Sequence, residues 1–182
     1  EIMGRNAGWL TGAAALSAGE DCEGPDLIYL PEVAFDIEDF LSRVKKLLEK
    51  KPFVIAAVSE GIRLEDGRYV CELTDGVDFV DAFGHKQLTG TANYLARRLS
   101  QEIGCKTRSI ELSSLQRAAS HLASRIDILE AFQVGGAAVK AADEGDTGEM
   151  VILKRISDDP YQCTTELRNV HKVSNVEKTV PR

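Results

Sequence analysis

The feature that most limits what this chain can fold into is a strand, helix, strand pattern compressed into residues 26–58. Asp26-Leu-Ile-Tyr-Leu-Pro31 and Phe53-Val-Ile-Ala-Ala-Val58 are apolar runs bounded by Gly, Pro or charge, as buried strands are. Between them Asp36 stands at the position of a helix N-cap, and Ile37, Phe40, Leu41, Val44, Leu47 and Leu48 recur on one helical face. The acidic pair Glu38-Asp39 opens that helix and the basic run from Arg43 to Lys51 closes it, as the helix dipole favours. The strands are near-continuous rather than alternating, which implies a parallel sheet covered on both faces. A βαβ unit of this kind sets the class as α/β.

Other elements follow from the same logic. Met150-Val-Ile-Leu153 reads as a third buried strand. A helix is predicted from Thr89 to Ile103, with Ala92, Leu95, Ala96, Leu99 and Ile103 inward and Gly104 as its stop. Another is predicted to open with the box Asp127-x-x-Glu130 and to run through Phe132 to Ala142, ahead of Gly145. A helix through Trp9 to Leu16 is interrupted by Gly8 and Gly12. Arg63 to Tyr69 reads as a hairpin turning at Asp66-Gly67, and Thr107 to Arg117 as an alternating, strand-like stretch. From Tyr161 onward the chain is polar and strand-like in short pieces that sequence alone does not assign. Trp9, Phe35, Phe40 and Phe53 are expected in the core.

Composition narrows the partners. With 22 Lys+Arg against 29 Asp+Glu the net charge is −7, so a broad nucleic-acid footprint is not expected and any bound anion must be met by a local basic cluster. No apolar run reaches the roughly 18 residues of a membrane span. Cys22, Cys71, Cys105 and Cys163 are too far apart for a C-x-x-C zinc pair, and reduced thiols in a cytoplasmic setting are the simpler expectation. Glu1-Ile2-Met3 carries no signal peptide, and the chain closes on the polar run Asn175 to Arg182. Both ends are those expected of a piece of a larger protein.

Three places carry candidate chemistry. Met3-Gly4-Arg5-Asn6-Ala7-Gly8-Trp9 puts a glycine and an arginine at a strand-to-helix junction, where backbone N–H groups and a guanidinium fork meet anions; a packing turn with a solvated arginine is the competing reading. Glu60, in Val58-Ser59-Glu60-Gly61, follows the carboxyl end of a buried strand, where open parallel sheets bind ligands and a carboxylate accepts from sugar hydroxyls; a surface glutamate is the alternative. Arg108 and Arg117 lie nine residues apart in the strand-like stretch, so they are expected on opposite faces, usable by one site only across a subunit boundary; two unrelated surface arginines are the alternative. Of His85, His121 and His171, only His121 lies near such a residue, Arg117. No Walker-type loop, H-E-x-x-H or G-x-S-x-G occurs.

Taken together these pieces resemble the phosphofructokinase family. Met3-Gly4-Arg5 is similar to its Met-Gly-Arg sugar-phosphate motif, and Asp26-Leu-Ile-Tyr-Leu-Pro-Glu32 to the strand that follows. Val58-Ser-Glu60-Gly61 is similar to the segment whose glutamate holds the fructose ring. Arg108 and Leu115-Gln-Arg117 are similar to its remaining phosphate-binding arginines, and Asn175-Val-Glu-Lys-Thr-Val-Pro-Arg182 to a segment of the diphosphate-using branch. Ser114 departs from the His of many members and Ala118-Ala119 from the Gly pair common in ATP-using bacterial ones, both in a manner similar to the diphosphate branch.

The resemblance implies a parallel-sheet α/β lobe, part of a larger phosphotransferase that moves a phosphoryl group from diphosphate or ATP to the 1-hydroxyl of fructose 6-phosphate. It implies a fructose 6-phosphate lobe over residues 1–117 and a return toward the phosphate-donor lobe over 118–182. Met3 and Gly4 would lie against substrate, with Arg5 on the phosphoryl group in flight. Glu60 would meet the sugar hydroxyls, Arg117 the 6-phosphate, Ser114 the substrate as well, and Arg108 a neighbouring subunit's site in a homo-oligomer. The donor loop, the catalytic base and the Mg2+ ligands would lie outside this chain, which leaves the isolated chain without turnover. A non-catalytic sugar-phosphate-binding module is the other reading, and an interaction fragment a third.

Overall fold

A computed structural model describes residues 1–74 and 88–181. They form two compact units, one of Glu1–Ala118 with Glu177–Arg182 and one of Ala119–Val176.

The first unit is built on the βαβ pattern. Strands β1 (Leu27–Tyr29) and β2 (Ala56–Val58) pair in parallel, Leu27 opposite Ala56 and Tyr29 opposite Val58. On the other side of β2, Ile2 pairs in parallel with Ser59, its N–H donating to Val58 O at 2.9 Å and its carbonyl accepting from Glu60 N–H at 3.0 Å. Beyond it, the Glu1 amino group donates to Ile110 O at 2.7 Å and Leu112 N–H donates to Glu1 O at 3.2 Å. The sheet therefore runs from β1 through β2 and Ile2 to the segment 110–112.

Helix α2 (Ile37–Leu48) connects the first two strands. Its cap is the one expected: Asp36 Oδ1 accepts from Glu38 N–H at 2.8 Å and Asp39 N–H at 3.0 Å, filling donors that have no partner inside the helix. Its apolar face buries Phe40, Leu41 and Val44 against Val58, Ile62, Val70 and, from helix α3 (Thr91–Ile103), Leu95. Phe35 closes this core edge-on to Tyr29, ring centroids 4.9 Å apart. Helix α3 ends where Gly104 takes φ +73°, a conformation that costs a glycine little. The 63–69 hairpin forms, with Arg63 bridged to Tyr69 and Gly67 at φ +86°. The opening helix is α1 (Trp9–Ala13), tightening into a 3₁₀ turn over Ala14–Ser17.

Two aromatic residues are not core. Trp9 is 45% exposed and Phe53 55%; Trp9 turns its indole N–H to a carbonyl, and Phe53 lies under the Lys51 ammonium at the protein surface. The stretch from Thr107 to Arg117 is also not one strand. Ser113 takes φ +41°, which no straight strand tolerates, and the chain turns there into helix α4 (Ser113–Ala118). Arg117 thus sits on a helix, and the opposite-face argument from odd spacing in a strand does not hold.

The second unit corrects another expectation. Met150-Val-Ile-Leu153 is not a buried parallel strand: it lies in β3 (Glu149–Asp158), which pairs antiparallel with β4 (Tyr161–Asn169) across Asp159-Pro160. Two residues suffice for an antiparallel hairpin but not for a parallel crossover. Helix α5 (Arg125–Asp143) packs on this hairpin, and its N-cap is Ser124, whose Oγ accepts from Asp127 N–H at 3.4 Å. The expected cap at Asp127 is thus displaced by three residues. None of the described residues of this unit is buried. Among the described residues no helix is long and apolar enough to cross a membrane, and the four cysteines are free thiols.

Candidate functional site

A cleft of about 200 Å³ opens where the parallel segments end. It is lined by Glu1, Met3, Arg5, Glu60, Leu88, Thr89, Glu111, Ser113 and Arg117. Four elements deliver these residues. The Ile2 bridge leads into Met3-Gly4-Arg5, the turn after β2 presents Glu60, the segment leading into α3 brings Leu88 and Thr89, and the 110–112 segment with α4 supplies Glu111, Ser113 and Arg117.

Close backbone approach makes the arrangement tight. Gly4, at φ +150°, donates its N–H to Glu60 Oε1 at 3.2 Å and its carbonyl accepts from Ser59 Oγ at 2.6 Å. Gly61 lies so near Arg5 that a Cβ there would come within 1.9 Å of the Arg5 carbonyl oxygen. Met3 N–H donates to Gln116 Oε1 at 3.0 Å, so α4 is registered on the Met3-Gly4-Arg5 turn by the residue next to Arg117.

The cleft holds two guanidinium groups and three carboxylates, and the carboxylates are not equivalent. Glu1 Oε2 accepts from Ala92 N–H at 2.8 Å in the first turn of α3, and Glu111 Oε2 accepts from the Thr89 hydroxyl at 2.9 Å. Burial pushes the Glu1 carboxyl above the usual carboxylate range; the Ala92 N–H opposes this, while Glu111 and Glu60 add to it. Each carboxylate thus has its own protein donor, Glu1 the Ala92 N–H, Glu111 the Thr89 hydroxyl and Glu60 the Gly4 N–H.

Of the residues singled out in the sequence, Met3, Arg5, Glu60 and Arg117 share the cleft lining, with Gly4 bonded to Glu60. Ser114 does not line it; the serine that does is Ser113. Arg108 lines a different opening of about 600 Å³, between α2, α3 and the sheet, together with Phe40, Val44, Leu95 and Leu99. His121 and His171 are exposed on the second unit, and His85 lies outside the described residues. Sequence reasoning missed Glu1, Leu88, Thr89, Glu111, Ser113 and Gln116. For Glu1 and Gln116 the signal was adjacency to Met3 and Arg117; for Ser113 it is a backbone angle that no residue pattern shows.

Fold and cleft together define an α/β protein with a cleft at the carboxyl ends of parallel segments, lined by two guanidinium groups and three carboxylates. The phosphofructokinase family matches residues 1–142, and the chain belongs to that family. It is 41% identical over 182 residues to the pyrophosphate–fructose 6-phosphate 1-phosphotransferase of Halomonas elongata, covering all of this chain and 42% of that protein. The protein of the same name from Xanthomonas campestris pv. campestris is 40% identical over 181 residues, with 43% of its length covered. Among solved structures, the pyrophosphate-dependent phosphofructokinase of Marinobacter aquaeolei superposes with a TM-score of 0.77 at 32% identity, over 99% of this chain and 40% of that one. That of Nitrosospira multiformis gives 0.75, also at 32% identity, over 98% and 40%. The chain therefore spans about two fifths of the proteins it matches, and the parallel α/β class expected from the sequence is the fold of this family.

Proposed function

We propose that this chain is the sugar-phosphate side of a diphosphate-dependent 6-phosphofructokinase. The complete protein moves a phosphoryl group from diphosphate onto the 1-hydroxyl of fructose 6-phosphate: the hydroxyl oxygen bonds to phosphorus, the bond to the leaving phosphate breaks, and the hydroxyl proton passes to a base. The observation that carries this reading is the gathering of Met3, Arg5, Glu60 and Arg117 around one cleft, in a chain whose relatives carry that activity in their names.

In this reading Arg117 grips the 6-phosphate with a charge-assisted fork, and Glu60, aligned by the Gly4 N–H, accepts from the sugar hydroxyls. Arg5 stabilises charge on the phosphoryl group in flight, because phosphoryl transfer depends mainly on positioning and electrostatics. No carboxylate of this chain is assigned the hydroxyl proton, which goes to a base in the remainder of the complete protein. Among the described residues no group of His, Cys, Asp or Glu is arranged to hold a metal ion. The Mg2+ implied by the family resemblance is assigned to ligands outside this chain, and no step is derived through it. Residues 118–182 lead toward the donor side. The complete protein works in the cytoplasm as a homo-oligomer with shared sites, to which Arg108 contributes.

The test uses the complete protein. Arg117→Ala should raise KM for fructose 6-phosphate by about 10- to 100-fold, as the loss of a hydrogen-bonded charged pair predicts. Arg5→Ala should lower kcat more than it raises KM. Changes in KM alone for both variants would make Arg5 a ground-state binder and remove its role in the transfer.

A further inference from the structure

We propose that Glu32 is a positioning residue for the reaction centre, coupling the strap Glu177–Val180 to the loop that carries Arg5. The inference rests on the role given to Arg5 above. The loop Arg5–Gly8 has no regular structure before α1 begins at Trp9, so its shape is set by what it touches.

Three groups of contacts set it. At its start, the Arg5 backbone lies against Gly61, where no side chain fits. Along its outer side, Asn6 Nδ2 donates to Glu177 Oε1, and Trp9 Nε1 donates to the Lys178 carbonyl at 2.6 Å. At its end a single oxygen, Glu32 Oε1, accepts from Gly8 N–H and from Val180 N–H, each at 2.9 Å. Glu32 follows β1 through Leu30-Pro31, so this carboxylate ties the sheet, the loop and the strap to one point. Gly8 makes the approach possible: a Cβ there would lie 2.8 Å from Leu30 Cδ2 and 2.9 Å from Pro31 Cδ.

Glu32 does not line the cleft, whereas Arg5, three residues before Gly8, does. Removing the carboxylate releases the Gly8 and Val180 N–H groups and so loosens the end of the loop. It should alter the placement of Arg5 while leaving Glu60, on the turn after β2, and Arg117, on α4, where they are. A misplacement of about 1 Å costs on the order of 100-fold in rate when the group acts on the reacting centre. The expected signature is a fall in kcat with little change in the KM for fructose 6-phosphate.

The complete protein and its Glu32→Ala, Glu32→Gln and Val180→Pro variants are compared by steady-state kinetics and by hydrogen–deuterium exchange of peptides spanning residues 5–9 and 176–181. Glu32→Ala should lower kcat by about 10- to 100-fold with KM changed less than about threefold, and speed exchange in both peptides. Val180→Pro, which removes the N–H on the strap side, should do the same to a smaller degree. The two changes combined should cost less than the sum of their separate effects. Glu32→Gln keeps an acceptor oxygen and should retain most of the kcat. Unchanged exchange of the 5–9 peptide in Glu32→Ala overturns the proposal, as does a kcat loss that Glu32→Gln shares in full. If the unaltered protein transfers no phosphoryl group, the functional reading fails, and the exchange measurement alone still decides whether Glu32 couples strap and loop.

Discussion

Gly61 shows how much of the site depends on one missing methyl group. The residue is buried, and a Cβ there would lie 1.9 Å from the Arg5 carbonyl oxygen and 2.5 Å from its carbon. Both are backbone atoms, so no rotamer change relieves the clash and the Arg5 turn itself must move. Gly61→Ala should therefore destabilise the complete protein by about 1–3 kcal/mol, the usual cost of overpacking, and lower kcat because Arg5 is displaced. Gly67→Ala is the contrast: it lies in the hairpin turn at φ +86° with no atom within 4 Å of a new Cβ, so its effect is confined to backbone strain. Thermal midpoint and kcat measured on both variants check the pair; an unaltered kcat in Gly61→Ala would show that the turn adjusts without moving Arg5. At this scale the sequence drew attention to Met3-Gly4-Arg5 and Glu60, which the structure brings together at one cleft. It was not readable at Ser113 or Gly61, because a backbone angle and a close approach leave no mark in residue type beyond the glycine itself.

Elements were legible to the extent that their signals are local. The Asp36 cap, the apolar face of α2 and the Gly104 stop each follow from a few neighbouring residues, and each formed as read. Met150–Leu153 was misread because an apolar run does not state its partner; pairing with Tyr161–Asn169 is a property of the turn between them. Register between β1 and β2 has a local cause too. Asp26 N–H donates to Ile55 O at 2.8 Å, while its carboxylate accepts from Ile55 N–H at 2.8 Å and from the Lys51 ammonium, which aligns the two strands at their entry. Burial works to raise the Asp26 carboxyl, but the Lys51 ammonium and the Ile55 N–H outweigh it and hold the group below the usual carboxylate range. A carboxylate depressed in the folded state contributes stability that is present above its unfolded pKa of about 4 and is lost as pH falls through the lower folded value. Asp26→Asn should thus lower the urea midpoint of the complete protein at neutral pH. The gap to the unaltered protein should narrow as pH drops from about 5 toward about 2. A gap that stays constant over that range would assign the effect to packing rather than to the charge.

Over the whole molecule, the two arginines that sequence spacing assigned to opposite faces of a strand are separated by a different device. The chain leaves the sheet at Leu112, turns at Ser113 and enters α4, so that Arg117 reaches the cleft while Arg108 stays beside the groove between α2, α3 and the sheet. Within one chain the two guanidinium groups line different openings, and the proposed function gives Arg108 to a neighbouring subunit's site. Symmetric oligomers supply such an arrangement, since each interface is presented by every copy. Complementation tests it. An Arg108→Ala subunit retains its own Glu60, and a Glu60→Gln subunit retains its Arg108, so a hybrid pair can assemble one intact site from two inactive chains. Co-refolding the two full-length variants at several ratios should restore part of the activity, with a maximum near equal amounts; if Arg108 served the site of its own chain, every site would keep one defect and no activity would return. Co-purification of differently tagged subunits verifies that hybrids have formed. Hybrids present without recovery would place the action of Arg108 within its own chain, and the groove it borders would then have to exchange with the cleft through movement of the Ser113 turn.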